Sequence, residues 1–126
     1  MNQPPPRSSW RHALRDEFPR LFPRKCPISC GHGWSGLLHT LCAELQRQTD
    51  QHDAPQIVVV EIKEKYGGLR FNTQGGSPLQ DALIDFAELQ SERMCEVCGA
   101  PGSELTDPSG WVSTRCEPHR DQRVEG

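Results

Sequence analysis

The 126-residue chain is short of what builds a large core: apolar side chains make up 34% and aromatics 6%, with a single tyrosine and two methionines. No stretch approaches the ~20 consecutive apolar residues of a membrane-spanning helix. The opening MNQPPPRSSW has no apolar stretch of the secretory kind. An overall basic charge is lacking too. The formal net charge is −3 and the pI about 5.9, whereas a dedicated nucleic-acid domain is usually basic throughout. The expectation is one modest domain without a membrane partner, in a reducing cytosol where cysteines stay as thiols. With 11 prolines and 11 glycines added to a thin core, a bound metal becomes a large share of the stability.

Six cysteines are present, and three of them join a histidine in a pattern. Cys95, Cys98, Cys116 and His119 read as Cys-x2-Cys, a 17-residue spacer, then Cys-x2-His. Thiolates and imidazole in two close pairs suit tetrahedral Zn²⁺. A two-residue gap lets the backbone turn both sulfurs to one point, and Gly99 follows where a positive φ helps that turn close. Four protein ligands fill a zinc shell, so one structural Zn²⁺ is expected rather than a catalytic one.

Along the chain, residues 1–8 are proline-rich and expected to be a disordered tail, followed by a single domain over 9–126 with a zinc subregion at 94–120. Ser9 can cap a helix from Trp10 to Phe18, which Pro19 ends. Trp34, Leu37, Leu38, Leu41, Cys42 and Leu45 recur at helical spacing and predict a helix to about Gln48, with Glu44, Arg47 and Gln48 off the stripe. A polar loop, Thr49 to Pro55, follows. Ile57 to Ile62 is β-branched and predicts a strand with Val58, Val60 and Ile62 on one face. Gly67-Gly68 supplies a turn and Leu69 to Phe71 returns. Ser77, Pro78 and Gln80 form a capping-box signature for a helix to about Arg93, with Leu79, Ala82, Leu83, Phe86 and Leu89 expected inward. Trp111 to Thr114 reads as a short strand. The fold class is α+β: helices packed on a β-hairpin, with a C-terminal zinc knuckle of zinc-ribbon or treble-clef style.

Other residues carry two readings each. Lys63, Lys65, Tyr66 and Arg70 surround the glycine turn and are candidate partner-binding residues; the alternative is a solvated hairpin with local pairs to Glu61 and Glu64. Trp10 and Trp111 are of the type that dominates interfaces, unless buried. Cys26, Cys30, His32 and His39 are loose evidence for a second metal site, against the simpler reading of buried or free thiols and a surface histidine. Residues 1–30 hold six basic side chains against two acidic, leaving 8 basic and 15 acidic in the remainder. That basic segment is either a solvated tail or a contact for nucleic acid or an acidic protein surface. A zinc-stapled nuclease of the HNH kind would need a further histidine, and none lies between Cys98 and Cys116.

Three blocks together, Cys30-Gly31-His32-Gly33-Trp34, Lys63-Glu64-Lys65-Tyr66-Gly67-Gly68-Leu69-Arg70-Phe71, and Cys95-Glu96-Val97-Cys98-Gly99 with Trp111 and Cys116-x2-His119, resemble a family of small zinc-binding proteins carried by phages and prophages of Gram-negative bacteria. Its pattern runs CGxGW, KEKFGGLRF, CEVCG, then W and C-x2-H; here His32 stands where an acidic residue is common and Tyr66 replaces Phe. The resemblance implies a setting, not an activity. By analogy with small phage proteins, it points to occupying a surface on host machinery, as anti-CRISPR inhibitors do. The expectation is therefore a non-enzymatic protein that binds a host or phage protein partner, with no small-molecule substrate. The alternative is a nucleic-acid-binding zinc-knuckle protein.

Overall fold

The computed structural model describes residues 10–122, so the expected tail and the Ser9 cap lie outside the described residues. In chain order it contains α1 (Trp10–Glu17), β1 (Ile28–Ser29), α2 (Ser35–His52), β2 (Val58–Lys65), β3 (Gly68–Gln74), α3 (Pro78–Ser91), β4 (Ser103–Thr106) and β5 (Val112–Arg115). Single 3-10 turns cover His32–Trp34 and Glu117–His119. The class is α+β as expected, with a three-stranded sheet in the order β1-β2-β3 and a separate β4-β5 hairpin. The two-residue β1, parallel to β2, and the strand β4 were not foreseen.

The core forms where the helical stripes meet the sheet. Leu14 and Phe18 from the α1 segment, Leu38, Leu41, Cys42 and Leu45 from α2, and Ile57, Val59, Ile62, Leu69 and Phe71 around the sheet are all buried in one cluster. Trp34 belongs to the 3-10 turn rather than to α2, and is fully buried. α2 runs four residues past the expected end, to His52, and stops at Asp53 in the left-handed conformation (φ 58°). Gln48, expected off the stripe, is buried and donates to Glu44 Oε1.

The hairpin departs from simple alternation. Val59 pairs with Thr73 and Glu61 with Asn72, so Val60 is an extra residue, a β-bulge. The bulge shifts the facing by one: Val59 and Ile62 are buried while Val60 is exposed, which corrects the expected Val58-Val60-Ile62 face. Lys65 pairs with Gly68, leaving Tyr66 and Gly67 as the turn, both at positive φ (53° and 81°). That is the two-residue turn whose twist matches the strands, and it normally takes Asn or Gly at both places.

α3 carries the main correction. Its capping box is present, with Gln80 N–H donating to Ser77 Oγ and Ser77 N–H to Gln80 Oε1. The face turned inward, however, is Gln80, Ile84, Ala87 and Ser91. Leu79, Phe86 and Leu89 are exposed (55%, 67% and 59%), Ala82 is exposed, and Leu83 is partly buried against the core. The two series are offset by one residue, about 100° around the axis. Polar fit decides between them. Gln80 Nε2 donates to Leu45 O, Thr49 Oγ1 and Pro55 O, tying α3 to the end of α2. Along β3, Leu69 N–H donates to Ser91 Oγ and Phe71 N–H to Glu88 Oε2. The helix thereby caps amides of a strand that ends the sheet, and an uncapped edge is a liability.

Candidate metal centre

α3 leads into the knuckle. Gly99 N–H donates to Cys95 O at 2.8 Å with Gly99 at φ 83°, which folds Cys95 and Cys98 toward each other. The β4-β5 hairpin then returns the chain, and the second pair sits on the 3-10 turn after β5, where His119 N–H donates to Cys116 O. Knuckle, hairpin and helical turn follow in treble-clef order, the first and last supplying the ligands. The four ligand atoms lie within 4.8 Å of one another. Cys98 Sγ is 3.7 Å from Cys116 Sγ, Cys95 Sγ is 3.8 Å from His119 Nδ1, and Cys116 Sγ is 3.2 Å from the same nitrogen. A tetrahedron with bonds of about 2.3 Å to sulfur and 2.0 Å to nitrogen has edges of about 3.5–3.8 Å, so the donor set fits a single metal ion. The sulfur spacing is far beyond a disulfide bond of about 2.05 Å.

The electrostatics agree with a cation site. Burial pushes the Cys95 thiol up, but the amides of Cys116, Cys98 and Val97, with His119, outweigh it and bring the pKa down to about 6. Cys116 moves the other way, through desolvation and the neighbouring sulfurs. Sulfurs this close cannot all ionise without a positive charge between them.

The three sequence blocks converge on one joint beside this cluster. Gly33 N–H donates to Glu96 O (2.8 Å), Gly31 N–H to Glu96 Oε2 (2.9 Å), and Trp34 Nε1 to Met94 O (2.9 Å). A Cβ on Gly33 would stand 2.6 Å from the Glu96 carbonyl carbon, so only glycine permits the approach. From the other side, Glu96 N–H donates to Thr114 O, and Thr114 Oγ1 donates to Gly67 O at 2.6 Å. The turn of the β2-β3 hairpin thus rests on β5. Glu96 and Arg115 form a buried ion pair at 3.3 Å. Burial raises the Glu96 pKa, against the pull of Gly31 N–H and Arg115. Glu96, Arg115 and Thr114 were not singled out from the sequence. The only available signal was that Glu96 lies inside the knuckle and Arg115 next to Cys116.

The remaining candidates separate. Lys63 and Arg70 stand opposite each other on β2 and β3, Lys63 reaching Glu61 at 3.5 Å and Arg70 donating to Leu69 O. Lys65 lies 5.6 Å from the ring of Tyr66, which is 71% exposed. These four residues do share the turn end of the hairpin. Trp111 is 64% exposed and lines a cleft of about 700 Å³ with Glu64, Glu96 and Arg115, whereas Trp10 packs against the core under Arg11. None of the four metal-site residues lines that cleft.

Cys26, Cys30, His32 and His39 do not form a second site; the 95–119 cluster is the only such group among the described residues. Burial pushes the Cys30 thiol up to about 12, far from a ready thiolate. His39 bonds Glu17 at 2.6 Å instead. Of the basic N-terminal segment, Arg11 donates to Ile28 O and Cys30 O, Arg15 to Cys26 O, and Arg20 pairs with Asp50.

No helix among the described residues is long and apolar enough to cross a membrane. Comparison of the chain with protein-family models, curated proteins and solved structures gives no match.

Proposed function

We propose that this chain is a non-enzymatic binding protein, shaped by one structural Zn²⁺, that acts by protein–protein contact. The observation that carries the reading is the closed donor set. Three sulfurs and one imidazole would fill all four positions of a zinc shell, and none of them lines the neighbouring cleft. A metal so held stiffens the β4-β5 hairpin and fixes Trp111, while the exposed Tyr66 with Lys63, Lys65 and Arg70 offers a second set of contact residues. The resemblance to phage and prophage proteins supports a bacterial cytoplasm as the setting and a component of host defence as the partner class, in the manner of anti-CRISPR inhibitors. The nucleic-acid reading is weaker, because Arg11 and Arg15 donate to backbone carbonyls within the fold and Arg20 pairs with Asp50 at the surface.

Two measurements test it. Elemental analysis of protein prepared without added metal should find one zinc per chain; another metal, or none, overturns the cofactor. Capture from host extract with and without nuclease should yield a stoichiometric protein complex that survives moderate salt. Recovery of nucleic acid alone, released steeply by salt, would establish the alternative.

A further inference from the structure

Among the described residues, the outward face of α3 is apolar and has no partner. Leu79, Phe86 and Leu89 are all more than half exposed, with Ala82 between them on the same side. The helix does not need that face to stay in place, since Gln80, Ser91 and Glu88 bond it to α2 and β3 while Ile84 and Ala87 fill the core. Single exposed apolar residues are ordinary, but a stripe at helical spacing marks an interaction face. The flank of the stripe has one sign. Every charged residue within α3 is acidic: Asp81, Asp85 and Glu88, with Glu92 next in line. All four lie on the side away from Leu83, one turn apart in two rows.

We propose that this face of α3, centred on Phe86, is a docking site for a basic amphipathic helix of a protein partner. The proposal rests on the protein-binding reading above and names the surface and chemistry of that contact. An apolar stripe at i, i+3, i+7 and i+10 fits a facing helix in ridge-to-groove packing. The acidic row sets the sign of the partner's flank, because opposite charges on the rim steer association and exclude wrong partners. A second copy fits less well, since an antiparallel two-fold pair sets Asp85 and its row against the same row of the other copy. An anionic membrane surface or a nucleic acid is repelled by the same charges.

The test uses the intact chain and a synthetic lysine–leucine amphipathic peptide as probe, with a glutamate–leucine peptide of identical pattern as control. Binding to the lysine peptide should weaken about tenfold or more in Phe86→Ser, a site exposed enough that melting stays unchanged. Asp85→Lys should shift preference toward the glutamate peptide. Equal binding of both peptides, or of neither, overturns the proposal. So does a concentration-dependent dimer that disappears in Phe86→Ser, which would assign the face to a second copy. If host protein is captured equally by the wild type and Phe86→Ser, protein binding stands and the α3 site falls. If the wild type captures only nucleic acid, the parent reading fails as well.

Discussion

The chain up to Ala87 and the chain after Met94 are held by different means. Among the described residues, the first part owns all 19 of the buried apolar cluster. The second, among the described residues, buries only Cys95 and Val97 of its apolar side chains, and its strand β4 is largely exposed. A segment that cannot remove enough apolar surface from water must offset its ordering entropy otherwise. Here the means are four metal-type ligands and a joint of hydrogen bonds to Gly31, Gly33, Trp34 and Gly67. The two parts should therefore respond to different insults.

Metal removal is the sharpest way to separate them. For structural zinc, binding free energy is folding free energy, on the order of 10 kcal/mol in zinc-finger peptides. Chelation, or Cys98→Ser at an exposed position that leaves no cavity, should abolish amide protection in β4 and β5 while most of the helical signal persists. Hydrogen exchange read by NMR checks this. Full protection of residues 103–115 after chelation would erase the contrast. In the other direction, Leu45→Ala in the fully buried part of α2 should cost about 3 kcal/mol in denaturant unfolding. It should leave zinc affinity, measured by competition with a chromogenic chelator, almost unchanged.

The joint should refuse that separation. Gly33→Ala puts a methyl group against the Cys95 and Glu96 carbonyls. Backbone cannot move aside as a flexible side chain can, so a loss of about 2 kcal/mol is expected, within the usual range for overpacking. Both readouts should fall together, lower melting temperature and weaker zinc binding, whereas Leu45→Ala affects only the first. A Gly33→Ala protein with normal zinc affinity would show that the knuckle folds independently of the CGHGW turn.

How far the sequence disclosed this arrangement depended on the kind of signal. Spacing between ligands of one type is local chemistry, and Cys95, Cys98, Cys116 and His119 came together as their pattern implied. Capping is equally local, and Ser77 with Gln80 behaved accordingly. The failures were in facing. Val60 looks like any β-branched strand residue, and nothing local marks it as the bulge that reverses the alternation. In α3 the apolar series Leu79, Ala82, Leu83, Phe86 and Leu89 predicts the inward face. It lost to Gln80-Ile84-Ala87-Ser91 because the neighbouring strand edge and helix end needed polar partners. Such needs arise from elements brought together by tertiary structure, beyond the reach of a periodicity. Thr114 was placed on a short strand, but its bond to Gly67 spans 47 residues and leaves no trace in either segment.

The smallest expected effect tests whether the hairpin turn serves the fold or a partner. Tyr66 holds φ 53° with its ring in solvent, and a bulky residue pays about 1–2 kcal/mol for that conformation. Tyr66→Asn keeps the Lys65–Gly68 pairing and offers the residue such turns prefer, so stability should rise by about 0.5–1 kcal/mol. The contact with Lys65 at 5.6 Å is exposed and worth too little to reverse that sign. Strain kept at an exposed aromatic residue is expected where binding uses it. The variant should thus be more stable yet bind its captured protein partner less tightly. Higher stability with undiminished binding would remove Tyr66 from the contact surface and leave α3 and Trp111 to carry it.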